Sequence, residues 1–351
     1  MEKKRIWIFI AIAYGITAVM SVVMYVAYRQ HINVTALVNV QMMYPACGVI
    51  LGKMICKEEG KSLPTAGYIT VLVTTAFLMI IAVLSVAVPI EPIKMKELMT
   101  EIDVWSVVSQ LPLITGSVIT YILFWVCGKQ KQHNAGLERK NIRQSIFLVA
   151  VFVVLLTVRV MTSVFITDAV YGTDAQWRVV AASMSNPLIW ITILALPINF
   201  IFSFIAFFGE EYGWRYYLQP IMQKRFGKRQ GVLLLGLVWA IWHIGVDFMY
   251  YTSGYGLQAF ACQIVTCVAA AIFFGYAYMK TENIWVPMIL HYLNNNLTVL
   301  FSGGGSDALM NQEIHWRDVP IFMVSYIPFI LFIIAPVYNK TKSTVEEKEN
   351  A

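Results

Sequence analysis

From Leu188 to Phe208 the chain carries no charged side chain. A run of that length and character crosses ~30 Å of hydrocarbon as one helix, because only there are all its backbone groups paired. Similar runs recur near residues 6–27, 33–52, 66–89, 105–127, 144–166, 187–209, 231–251, 257–279, 284–302 and 319–338. They predict about ten spans (eight to ten), each near the ~20 residues a bilayer requires. The second is the least apolar, since Asn33, Asn39 and Gln41 interrupt it. The chain is 58% hydrophobic and 13% charged, whereas a soluble domain carries about 25% charge. It therefore reads as all-α, a polytopic integral membrane helical bundle. A transmembrane barrel is excluded, because barrel strands alternate over ~10 residues.

The basic residues orient the bundle. One set of alternate loops holds Lys3 to Arg5, Lys53 to Lys61, Lys129 to Arg143, Lys224 to Arg229, Lys280 and Lys340 to Lys348. The opposite set holds only Arg29, Lys94, Lys96, Arg178 and Arg317. By the positive-inside rule both termini lie in the cytoplasm. The net charge of +6 sits in these short loops, so it implies no nucleic-acid partner. The five cysteines lack CxxC spacing and read as buried packing residues. No cleavable signal is evident after Met1. A soft boundary at the basic loop 128–143 divides the chain into 1–127, helices of unassigned role, and a core over 144–338. The charged segment 91–104 reads as a solvated loop with room for an amphipathic helix, and 339–351 as a disordered cytoplasmic tail.

Against this background Glu210 and Glu211 stand out, because carboxylates beside an uncharged span are costly enough to signal function. Residues four apart share a helical face, so Glu211 pairs with Arg215 and leaves Glu210 free as a general base. In the seventh span Asp247 stands four residues after His243, which would let it fix the imidazole tautomer. In the ninth, His291 and Asn295 have the same spacing and supply two donors for an oxyanion. With a rise of ~1.5 Å per residue, His291 lies about 16 Å from Lys280, His243 about 21 Å from Arg229, and Glu210 about 21 Å from Lys224. These depths let all three meet in a site opening toward the cytoplasm. Trp239, Trp242 and Phe208 read as packing residues, Asn294 to Asn296 as interhelical glue, and Arg159 as a snorkelling or internally paired side chain, with a substrate role as the alternative.

The order Glu210-Glu211-x-x-x-Arg215, Trp239-x-x-x-His243 and His291-x-x-x-Asn295 resembles the CAAX protease and bacteriocin-processing (CPBP, or Abi) family, which includes the type II CAAX prenyl endopeptidase. The resemblance covers about residues 185–305, and Trp239 stands where the second motif often has Phe. It implies an intramembrane endopeptidase of a bacterial plasma membrane, acting on a lipidated or membrane-associated peptide. Carried over by position, Glu210 activates water with help from His243, His291 and Asn295 form the oxyanion hole, and Glu211 and Arg215 support them. No HExxH is present, and the metal-free reading is preferred. Zinc held by Glu210, His243 and His291 is the alternative. Two other functions compete: a non-catalytic immunity or sensor-regulator protein, and a transporter, against which the missing inverted repeat argues.

Overall fold

The computed structural model describes residues 1–88, 90–95, 100–303 and 309–339. Seven helices are long and apolar enough to cross a membrane, and eight if one bent pair counts as a single span. They are Glu2–Arg29, Thr35–Ile55, Thr65–Ala87, Val104–Val126, Ile142–Tyr171, Pro187–Phe226 and Gly256–Thr281, with the bent pair Lys228–Trp242 and Ile244–Tyr251. The ten expected spans shrink at the C-terminal end. Trp285–Phe301 has only 17 residues, about 26 Å of helix. The last apolar run breaks into Asp318–Ser325, Ile327–Ile330 and two 3₁₀ turns, in a stretch that carries Pro328 and Pro336. Between Ala87 and Val104 the described residues form no amphipathic helix but a short antiparallel ladder, with Ile93 opposite Ile102. The expected tail beyond 339 lies outside the described residues.

The helix Pro187–Phe226, called here the glutamate helix, runs through the centre of the bundle. Its first half turns Leu188, Ile191, Leu194 and Ile198 outward, the apolar belt that lipid covers. Its second half is buried from Phe204 through Arg215. At Gly209 an added Cβ would stand 2.3 Å from the Met42 carbonyl oxygen, and at Gly213 2.3 Å from the Pro45 side chain. The Thr35–Ile55 helix therefore packs directly against the backbone that carries Glu210 and Glu211, an approach only small residues allow.

The first 127 residues do not form a separate layer. Tyr14 donates to the Val238 carbonyl (2.8 Å), Gln41 to that of Trp242 (3.0 Å), and the Trp242 indole to that of Ala13 (2.9 Å). Buried apolar residues from Phe9 to Phe329 belong to one continuous core. All five cysteines are free, and all but Cys127 are buried, as their position in apolar runs suggests.

Candidate active site

The glutamate helix changes pitch just past its acidic pair. Residues Tyr212–Leu218 form a π-helix, the wider coil that often marks functional sites. The Glu211–Arg215 pair predicted from spacing forms at 3.2 Å, with both side chains fully buried. None of the guanidinium nitrogens makes a well-aligned hydrogen bond. The charge is instead sandwiched by rings, with Trp239 at 4.1 Å and Phe274 at 5.1 Å.

Glu211 has a second task that spacing did not reveal. Its other carboxylate oxygen lies 2.9 Å from Nδ1 of His291. This contact fixes the ring and turns Nε2 away from the carboxylate. Asn295 is oriented as well, because its side-chain oxygen accepts from the Asn294 amide at 3.1 Å. Both Asn294 and Asn295 line the cavity described below.

Glu210 is 2% exposed and is held by two indoles. Trp239 Nε1 donates to its Oε2 at 2.8 Å, and Trp214 Nε1 approaches the same oxygen at 3.4 Å. Trp239, read as packing, is thus a direct ligand of the candidate base. The hydrogen bond is visible in sequence only as an aromatic four residues before His243.

His243 sits at the 45° bend between Lys228–Trp242 and Ile244–Tyr251. Its backbone N–H bonds to the Ala240 carbonyl, which frees the Trp239 carbonyl from the usual helical ladder. That carbonyl accepts from His243 Nδ1 at 2.9 Å. The bond puts the proton on Nδ1 and leaves Nε2 as an acceptor. The expected tautomer control by Asp247 does not form. Asp247 is fully buried and neither of its oxygens has a hydrogen-bond partner, since the broken ladder supplies the nearer acceptor.

Glu210, His243, His291 and Asn295 all line one cavity of about 230 Å³, together with Asp247 and Arg159. The N-terminal helices contribute Val38, Gln41 and Met42 to its wall. No direct hydrogen bond joins Glu210 to His243 among the described residues, so they meet across the cavity. The expected opening toward the basic loops is not where the lining leads. From Phe274 the wall continues along its helix to Cys262 and Ala259, from His291 to Thr298, and across the end to Gln312 and Ile314. These residues lie at the helix ends remote from Lys224, Lys228 and Lys280. On the basic side, Arg215 and the bond from Gln219 to the Gly275 carbonyl, 3.4 Å, fill the space.

Among the described residues no three His, Cys, Asp or Glu side chains converge as a metal ion requires.

Residues 186–297 match the family model described as type II CAAX prenyl endopeptidase Rce1-like. No curated protein and no solved structure matches the chain.

Proposed function

We propose that this integral membrane protein, whose segment 186–297 is similar to the CAAX prenyl endopeptidases, is a metal-free intramembrane endopeptidase in which Glu210 is the general base. The observation that carries the reading is the shared cavity: a carboxylate held by two indoles, an imidazole with a free Nε2, and an amide donor face one space.

Water in the cavity gives a proton to Glu210, and His243 Nε2 accepts the second water hydrogen bond and orients the oxygen. The resulting hydroxide attacks the scissile carbonyl carbon. The oxyanion takes hydrogen bonds from the Asn295 amide and from His291 Nε2. For His291 to donate there while its Nδ1–H is bonded to Glu211, the ring carries both protons, and Glu211 balances that charge. The two carboxylates then match the Arg215 guanidinium and the imidazolium, leaving the buried cluster neutral. As the tetrahedral intermediate collapses, Glu210 returns the proton to the leaving amine; the acyl product keeps the other water proton as a carboxylic acid and passes it to the amine, so a carboxylate and an ammonium leave.

With the basic loops in the cytoplasm, the cavity leads toward the opposite face. The substrate is then a lipidated or membrane-associated peptide presented from that side.

The test uses purified protein in nanodiscs and quenched fluorogenic peptides, with and without a prenyl group. General-base and oxyanion groups each contribute about 10²–10⁴-fold, so Glu210→Gln is expected to lower turnover at least a hundredfold while the wild type stays active after exhaustive chelation. Wild-type turnover by a folded Glu210→Gln protein would end the reading. Unchanged biological activity of a Glu210→Ala/His243→Ala double variant would favour a non-catalytic membrane partner.

A further inference from the structure

Arg159 lies in the middle of the long apolar helix Ile142–Tyr171, where an arginine is expected to snorkel to a surface or pair with an acid. It does neither. It is 8% exposed and lines the cavity that holds Glu210. Its Nε has no hydrogen-bond partner, and no ion pair involves it among the described residues. Its guanidinium lies over the rings of Tyr326 at 4.6 Å and Phe322 at 5.5 Å, which line the same cavity.

The nearby acids do not account for it. Asp318 is committed to the Tyr171 hydroxyl and the His315 backbone N–H. Asp247 keeps both oxygens unpartnered rather than reaching the guanidinium. A buried guanidinium braced by two rings on the wall of this cavity is arranged for a planar anion that arrives with the ligand.

We propose that Arg159 is the specificity residue that binds the free C-terminal carboxylate of the peptide substrate. The inference rests on the endopeptidase reading of the same cavity. A carboxylate fits better than a phosphate, because Asp247 and Glu210 on the same walls penalise the more highly charged group. A peptide whose C-terminus is anchored at Arg159 shares the cavity with Asn295 and Glu210.

The experiment separates binding from turnover. In the Glu210→Gln background, Kd is measured by anisotropy for two fluorescein-labelled mixtures of short apolar peptides, identical except for a carboxylate or a carboxamide C-terminus. A charge-assisted pair predicts about tenfold to a hundredfold tighter binding of the carboxylate mixture. Arg159→Gln removes that preference and leaves the carboxamide Kd within about twofold. Arg159→Lys, which keeps the charge but not the fork, retains part of the preference and serves if the glutamine variant does not fold.

Equal Kd values for the two mixtures, preference surviving in Arg159→Gln, or no binding of either mixture overturns the proposal. Repeating the titration in phosphatidylglycerol rather than phosphatidylcholine nanodiscs tests a lipid phosphate. If the anionic lipid abolishes the preference, the lipid headgroup is the occupant and the peptide proposal falls. Undiminished cleavage by Glu210→Gln would remove the protease mechanism while leaving these Kd values to stand or fall by themselves.

Discussion

The two faces of the glutamate helix solve opposite problems. On one side Glu211 is sealed from water and shared between Arg215 and His291. On the other, Glu210 reaches a cavity whose walls carry His243, Asn295, Asp247 and Arg159. The first face resembles a structural ion cluster, in which every charge is compensated by a neighbour. The second keeps polar groups uncommitted, which costs stability and is expected where a substrate must complete the contacts. Adjacent residues of identical chemistry thus serve scaffold and cavity, and the ordinary step of about 100° between neighbouring helical residues supplies the difference in direction.

This contrast is most easily broken at Glu211. Glu211→Gln leaves Arg215 and His291 in a dry site without their counter-charge, and removing one partner of a buried pair costs about 3–5 kcal/mol. Thermal unfolding in detergent should show a large drop for Glu211→Gln and a much smaller one for Glu210→Gln, although the latter is the variant expected to lose turnover. Similar loss of stability in both variants would mean that the two faces are not distinct.

Trp239 joins the faces, since its indole N–H holds Glu210 while its ring covers Arg215. Trp239→Phe keeps the ring and removes the donor. A hydrogen bond to a charged group contributes about 1.5–3 kcal/mol, so kcat/KM should fall roughly tenfold to a hundredfold with little change in unfolding temperature. Trp214→Phe, whose N–H stands at 3.4 Å, should cost less. If Trp239→Phe destabilises the fold as much as Glu211→Gln, its ring rather than its N–H matters.

What sequence could reveal followed from local geometry. The Glu211–Arg215 pair and the common face of His291 and Asn295 depend only on helical periodicity, and both are present. The Glu211–His291 bond, the two indoles on Glu210 and the wall formed by Val38, Gln41 and Met42 join distant stretches, which periodicity does not encode. Asp247 was misplaced because the ladder breaks at His243 without a proline to announce it. Helical rise correctly put the polar groups at similar depth, but it could not say on which side packing leaves space. That depends on side chains such as Arg215 and Gln219 filling the basic end.

The smallest effect lies farthest from the site and tests how firmly the N-terminal helix is fastened to the rest. Glu58, in the loop after the Thr35–Ile55 helix, pairs with Arg5 and Lys61. Hydrogen bonds from Lys61 and Arg5 pull its carboxyl down from the ordinary 4.5 to about 2. A depressed carboxylate stabilises the fold above its ordinary pKa, and that contribution fades as pH falls from about 4.5 toward 2. Because Glu58 is half-buried at the protein surface, with its side chain 31% exposed, screening limits the pair to about 0.2–1 kcal/mol. Wild type should therefore lose slightly more unfolding temperature than Glu58→Gln between those pH values, and the gap should shrink in high salt. Parallel acid curves for the two proteins would show that the Arg5–Glu58 link adds nothing, leaving the hydrogen bonds of Tyr14 and Trp242 and the apolar packing around Phe9 to hold the first helix against the C-terminal half.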